Sequence, residues 1–308
     1  MTVAARLDSQ FPAVIRPSRD ESFAYFTAKG HWREYFARNG AVLFRGFNVS
    51  NVDMFRTVAL LLMGPLKEYQ YDSTPRTDLG AGIYTSTERA STLQVALHNE
   101  CSYRRLWPRQ LLFGCLQAAE HGGETLLAST MAVTNHISVV TRRRFETLGV
   151  MYVRNYWPRL DLPWQRVFHT DSRLEVERAC EREGMSAEWI GDDRLRTTSV
   201  AQGLWRDPLT KVRLWFNQAH TYHASTITPD IRAALLSLYR EDGLPRNAYY
   251  GDGSRIDNDT IAEICHAYQR ETIACQWQTG DVLLLDNVRV AHGRAPYTGL
   301  RTVVVAMS

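Results

Sequence analysis

Two apolar runs in this chain each end on ionisable side chains, which constrains its folding more than any other feature. VALHNE at 95–100 ends on His98 and Glu100, and DVLLLDN-V-R-V-A-H at 281–292 ends on His292. Burying an imidazole or a carboxylate at the end of an apolar strand is costly without a partner or a cation. On an extended strand the i, i+2 spacing of His98 and Glu100 turns both side chains to one face. The runs lie in opposite thirds of the chain, so a fold that satisfies them must close its two ends on each other. The outcome would be two imidazoles and one carboxylate around a single ion.

The chain has 308 residues, enough for one large domain or two ordinary ones. No repeat, low-complexity tract or Gly/Ser/Pro linker divides it, so residues 1–308 are read as a single domain with helical insertions. An apolar fraction of 44% implies a sizeable core. A formal charge of +3 leaves no electrostatic footprint for nucleic acid. The densest basic run, Arg142-Arg143-Arg144, reads as a solvated helix face. Five cysteines, an odd number with no C-x-x-C, argue against a disulfide framework and for a reducing compartment. The N-terminus has no apolar stretch of signal-peptide length, and the longest apolar run, 58–64, is too short to span a bilayer. A cytoplasmic protein with no membrane partner is expected.

Apolar spacing predicts a helix over 20–39, stopped by Asn39-Gly40. A strand at 41–47 and a helix at 51–64, capped by Asn51, follow. Residues 65–92 are polar and turn-rich, and they lead straight into QVALHNE, so they read as an active-site loop. Two β-forming runs, 109–119 and 124–129, flank Gly122-Gly123 and read as a hairpin. A helix near 130–147 and a strand at 149–156 come next. Helix-like segments at 172–183, 228–239 and 257–269 then alternate with short strands such as 212–218. The end is strongly β, with runs at 272–277, 281–287, 288–292 and 302–307. Strands at both ends with helices between them predict a mostly β fold, a jelly roll decorated by helices.

Two histidines and one carboxylate occupy one face of an octahedral ion and leave other positions open, as in non-heme Fe(II) oxygenases. A lone histidine is more often a satisfied core or surface residue, so the combination carries the reading. The nearest rivals are His220 and His223, an i, i+3 pair without the H-E-x-x-H pattern of a zinc protease. His121 precedes the Gly-Gly turn and reads as solvent-facing. Cys101, next to Glu100 on the expected strand, should face away and pack.

The order of H-x-E, then GGET at 122–125, then GDVLLLDN with RVAHGR, then an arginine before the last β-run resembles the TauD/TfdA family. These are Fe(II)- and 2-oxoglutarate-dependent dioxygenases with a double-stranded β-helix (jelly roll) core. The segments 98–125, 212–220 and 244–254 resemble the SyrP-like, clavaminate synthase-like branch, and the likeness spans about residues 35–308. It implies Fe(II) as the metal, with 2-oxoglutarate and O2 as cosubstrates and His98, Glu100 and His292 as ligands. It implies Thr125 and Arg301 as 2-oxoglutarate contacts, with Arg294 as the competing anchor. It also implies hydroxylation of an amino acid, free or tethered to a carrier protein, in natural-product biosynthesis. Related halogenases lack the carboxylate, so the presence of Glu100 favours hydroxylation or desaturation over halogenation. A zinc hydrolase or a non-catalytic binding protein on the same barrel is the alternative. For substrate contacts the candidates are Asn217, Gln218, Asn155, Arg104 and Arg105, whereas Trp215 and Phe216 read equally well as core.

Overall fold

The computed structural model describes residues 7–8, 11–18, 22–68, 75–157, 160–191, 194–208 and 210–308. Residues 69–74 of the expected active-site loop therefore lie outside the described residues.

The apolar strands alternate between two buried environments, and that alternation builds the layers. Leu283 and Leu285 of the Val282–Asp286 strand share one cluster with Leu43, Leu111, Phe113, Val303 and Val305. Val282 and Leu284, one residue out of phase, join a second cluster with Phe44, Leu112 and Val304. Side chains of a strand alternate faces, so a strand buried on both sides reads as a continuous apolar run. Each fully buried Leu, Val or Phe contributes about 1.5–3 kcal/mol to holding these layers together.

Val282–Asp286 is central in a seven-stranded sheet. Its order is Leu7–Asp8, Ala13–Ile15, Ala41–Phe44, Val282–Asp286, Gln110–Gln117, Thr302–Met307, Ile83–Thr85. The pairings are antiparallel except Ala13–Ile15 beside Ala41–Phe44. A four-stranded antiparallel sheet faces it, in the order Ile273–Cys275, Thr125–Ser129, Val290–Arg294, Val95–His98. Leu127, Cys275 and Val290 of this second sheet enter the cluster shared with the first. The outer face of the larger sheet is covered by helices, which bring Phe26, Trp32, Phe55 and Val58 to it. The outer face of the smaller sheet packs Leu126, Ala128 and Ala291 against Val133, Ile261 and Ile264 of other helices. The sheets are the framework and the helices lie outside them. No helix among the described residues is long and apolar enough to cross a membrane.

Several local expectations need correction. The helix over 20–39 is two helices, Phe23–Lys29 and Trp32–Asn39, because Gly30 adopts a left-handed φ of 75° and ends the first. The 130–147 segment is also two helices, Thr130–His136 and Val139–Leu148, with Ser138 capping the second. Residues 109–119 and 124–129 do not form a hairpin. Gln110–Gln117 belongs to the larger sheet and Thr125–Ser129 to the smaller, and the chain crosses between sheets at Gly122-Gly123. Both glycines have positive φ, and His121–Gly122 pairs with Tyr297–Thr298 instead. The expected strand at 212–218 is confined to Arg213–Trp215. The strand expected at 149–156 is Val150–Tyr156, but the sheet it forms with Met185–Ile190, Arg194–Ala201 and Arg246–Tyr250 was not expected.

Candidate metal centre

His98 is the last residue of Val95–His98, and it pairs with His292 of Val290–Arg294. Their rings are 4.5 Å apart. The strand ends there, so Glu100 is not its continuation. It sits in the following turn, where Cys101 has a φ of 56°. Asn287 holds this turn in place. Its Oδ1 accepts from Glu100 N at 2.7 Å, and its Nδ2 donates to Glu100 O at 2.9 Å and Pro108 O at 2.8 Å. Asn99 Nδ2 donates back to Asn287 O at 2.6 Å. Asn287 is fully buried, so these bonds are made where water cannot replace them. Ligand-type atoms of His98, Glu100 and His292 consequently lie within 4.8 Å of one another, the one such group found among the described residues. Cys101 packs in the inter-sheet cluster, with its thiol 3.7 Å from Glu100 Oε1.

The protonation states follow from the partners. His98 Nδ1 lies 2.8 Å from the carbonyl of Ala96, which can only accept, so Nδ1 carries the proton and Nε2 keeps its lone pair. Burial lowers the pKa of His98 and takes His292 well below its ordinary value, aided there by the neighbouring His98 and Arg76. His292 is therefore neutral, and its 3.9 Å approach to Glu100 is not an ion pair. Its Nδ1 is buried with no hydrogen-bond partner among the described residues. Burial alone would raise the pKa of Glu100, but the charge of Arg76 and the hydrogen bond from it, with the nearby His98 ring, hold it below normal. Arg76 Nη2 is 2.6 Å from Glu100 Oε2. Two neutral imidazoles and an ionised carboxylate are the donor set that a divalent first-row metal takes, so these residues fit one.

Two openings meet at this group and share Arg76, Thr87, Val95 and His98 as a common wall. The narrow one is also lined by Thr125, His292, Arg294 and Arg301, without a carboxylate among its described lining. Trp277 Nε1 donates to Thr125 Oγ1 at 3.0 Å, which leaves the hydroxyl proton free to point into the cleft. Arg301 Nε donates to Gly123 O at 3.0 Å. Burial, then the nearby charge of Arg294, lowers the Arg301 pKa to about 10, so it stays charged at neutral pH. Arg294 spends its terminal nitrogens on backbone: Nη1 on Thr87 O and Arg89 O, Nη2 on Ala90 O and Leu93 O. It stitches segment 87–93 to the sheet. The second opening is a cavity of about 410 Å³ that reaches Glu100, Gln218, His220, Arg89 and Arg246.

Most of the expected substrate contacts lie elsewhere. Asn217 is fully buried and used up, donating to Gly203 O and accepting from Ala219 N. Asn155 donates to Asp242 O and Leu244 O and accepts from Arg196, which ties a loop to its strand and places it outside both openings. Arg104 pairs with Glu183 at 2.7 Å and lines a different cavity. Arg105 is exposed and packs over Gly184, where only a glycine leaves room. In each case a local hydrogen bond or packing demand outweighs what the sequence position suggested. Gln218 does line the larger cavity, while bonding Asn99 O at 2.8 Å. His220 donates Nε2 to Leu97 O, and His223 is held between Ile256 O and Ser225, so neither joins the triad. Sequence reasoning passed over Arg76, Arg89, Arg246 and Asn287. Asn287 had a signal, a polar side chain closing the run LLLDN, and the loop expected at the active site supplied Arg76 and Arg89.

Residues 23–307 match the family described as Taurine catabolism dioxygenase TauD, TfdA family. The dapdiamide synthesis protein DdaC of Enterobacter agglomerans is 36% identical over 294 residues, covering 96% of this chain and 89% of DdaC. A clavaminate synthase-like protein of Arabidopsis thaliana is 28% identical over 322 residues, covering 96% of this chain and 93% of the relative. Among solved structures, PvcB of Pseudomonas aeruginosa is an Fe, alpha-ketoglutarate dependent oxygenase from an isonitrile synthetic pathway. It is 14% identical, with a TM-score of 0.54 over 96% of this chain and 84% of PvcB, a likeness of fold.

Replacing Asn287 with alanine should free the Glu100 turn and lower affinity for Mn(II) or Fe(II) by about ten- to a hundredfold. Isothermal titration of the metal-free protein checks this. A second expectation concerns acid stability. Burial lowers the His220 pKa from 6.5 to about 4. Between those values the unfolded chain binds the extra proton, so stability is full above pH 6.5 and falls as pH drops toward 4. Between pH 7 and pH 5 the loss from this group is about 2 kcal/mol. Urea unfolding at the two pH values measures it, and the difference should shrink in His220→Gln.

Proposed function

The chain belongs to the TauD, TfdA dioxygenase family, and on that premise we propose that it hydroxylates an amino-acid-like small molecule in natural-product biosynthesis. It is an Fe(II)- and 2-oxoglutarate-dependent oxygenase. The dapdiamide synthesis relative, 36% identical along nearly the whole chain, supports a biosynthetic role. The observation that carries the site assignment is the convergence of His98, Glu100 and His292 within 4.8 Å at the junction of two openings.

In this reading His98, Glu100 and His292 hold the iron. Bound there with 2-oxoglutarate, it supplies the activation of dioxygen for oxidising a substrate C–H bond, as 2-oxoglutarate becomes succinate and CO2. The protein's own residues place the reactants. The narrow, basic cleft suits a dicarboxylate. Arg301, with one terminal nitrogen making no bond among the described residues, grips its far carboxylate through a charge-assisted pair. Thr125 donates its hydroxyl proton, turned inward by Trp277. Arg294, already committed to four carbonyls, shapes the cleft wall and does not serve as the anchor. Retention of Glu100 leaves no vacancy for a halide, which supports hydroxylation. The two facing sheets, antiparallel but for one edge pairing and joined by crossings at 118–124 and 287–289, support a jelly roll formed by residues 1–308 as one domain.

The test is succinate formation from 2-oxoglutarate, with mass spectrometry for a +16 product across free and pantetheine-linked amino acids. His98→Ala should abolish turnover; continued turnover would remove His98 from the ligand set. Arg301→Gln should raise the KM for 2-oxoglutarate roughly tenfold to a hundredfold, the loss of a charge-assisted hydrogen-bonded contact. The same rise in Arg294→Gln but not in Arg301→Gln would transfer the anchor to Arg294.

A further inference from the structure

The ladder that carries His98 is irregular, and the irregularity decides which way that ring faces. Val95 pairs with Arg294 and His98 with His292, so three steps on one strand match two on the other. One extra residue therefore sits in Val95–His98 as a β-bulge. A regular ladder continued from Arg294 and Val95 would set Leu97 opposite His292. A slip of one residue exchanges the faces of a strand, so His98 would then turn away from the metal side. The packing agrees: Val95 lines both openings, whereas Leu97 packs outward with Ala128, Ala291 and Ile264. A bulge leaves backbone groups outside the ladder, and buried carbonyls need donors. Val95–His98 is also the edge strand of its sheet, so among the described residues no further strand supplies them. One turn does. His220 Nε2 donates to Leu97 O at 2.8 Å, and Gln218 Nε2 donates to Asn99 O at 2.8 Å. These two carbonyls flank His98 in sequence. The turn is itself held, because Asn217 Oδ1 accepts from Ala219 N at 3.0 Å and Tyr152 Oη from Gln218 N at 2.8 Å. The His220 ring stacks on Tyr268 of helix Asn258–Glu271, with centroids 4.5 Å apart.

We propose that the turn 217–220 is a clamp that positions His98 for metal binding, with Gln218 and His220 as its two donors. The proposal rests on His98 being a ligand and deepens that reading. A carbonyl only accepts, so His220 Nε2 carries its proton, and the ring acts as a donor to backbone. Two fixed carbonyls, one on either side of His98, set the backbone from which its ring projects. The bond from His98 Nδ1 to Ala96 O, inside the same bulge, then fixes the rotation of the ring. Metal sites depend on such outer contacts, because they hold each ligand in its binding orientation. Gln218 and His220 also line the larger cavity. Their bonds nevertheless run to the metal strand, so they act on the centre through His98.

Metal-free protein permits a test that does not depend on turnover or on the true substrate. Nitrogen-15 NMR of the native chain at pH 7 should show His220 protonated on Nε2 and slow to exchange. Protonation on Nδ1 would overturn the proposal before any variant is made. His220→Leu keeps the bulk and removes the donor, and it should weaken Co(II) binding by about ten- to a hundredfold in isothermal titration. It should also replace the single His98 tautomer of the native chain with a mixture. His220→Gln sets an amide N–H where Nε2 stood, and should restore most of the affinity and the single tautomer. Gln218→Leu should weaken Co(II) binding in the same direction. Unchanged affinity in either leucine variant would overturn the clamp. Equal losses in His220→Leu and His220→Gln would overturn it too, assigning the effect to the ring stacked on Tyr268. His98→Ala is the reference. If it leaves Co(II) affinity intact, the ligand assignment itself fails; if it lowers affinity and His220→Leu does not, this proposal alone fails.

Discussion

Backbone pairing between Val95–His98 and Val290–Arg294 is the contact on which the centre depends. It sets His98 opposite His292, so the separation of two candidate donors is fixed by a hydrogen-bonded ladder and not by flexible side chains. The ladder is tight because Gly293 has no side chain. A Cβ there would lie 2.5 Å from the carbonyl of Val95. Asn287 extends the same logic one turn further, bonding both backbone groups of Glu100 from the loop that precedes the His292 strand. Both ends of the chain thus build one rigid platform, and each half needs the other to complete it.

Charge organises what lies around that platform. Glu100 is ionised and paired with Arg76, while burial keeps both imidazoles neutral. Outward from this group both openings turn basic, one toward Arg301 and Arg294, the other toward Arg89 and Arg246. Arg294 connects them, since it lines the narrow cleft while fixing the segment that carries Arg89 to the wide cavity.

The readings that succeeded and those that failed differ in the range of the interactions they needed. Helix caps at Asn51, Ser172 and Asp257 are local hydrogen bonds, and the helices they begin lie close to where the sequence placed them. Gly30 is equally local, yet its left-handed break inside an apolar pattern was overlooked. The expected hairpin failed because Gly122-Gly123 signals a turn without saying whether the strands meet afterwards. Asn155, Asn217 and Arg104 lie outside both openings for a related reason. Each finds a partner through folding that takes up its polar groups away from them.

From the residues alone came the ligand types, their order and the apolar runs that bury them. Those properties are covalent or periodic and survive without a fold. Which arginines line the openings was decided by tertiary structure, because an arginine's role depends on its counter-charge. Arg104 has Glu183, Arg294 has four carbonyls, and Arg89 has no ion-pair partner among the described residues. Their side chains are chemically identical, and only the distances between elements remote in sequence separate an arginine that ties segments together from one that lines a cavity.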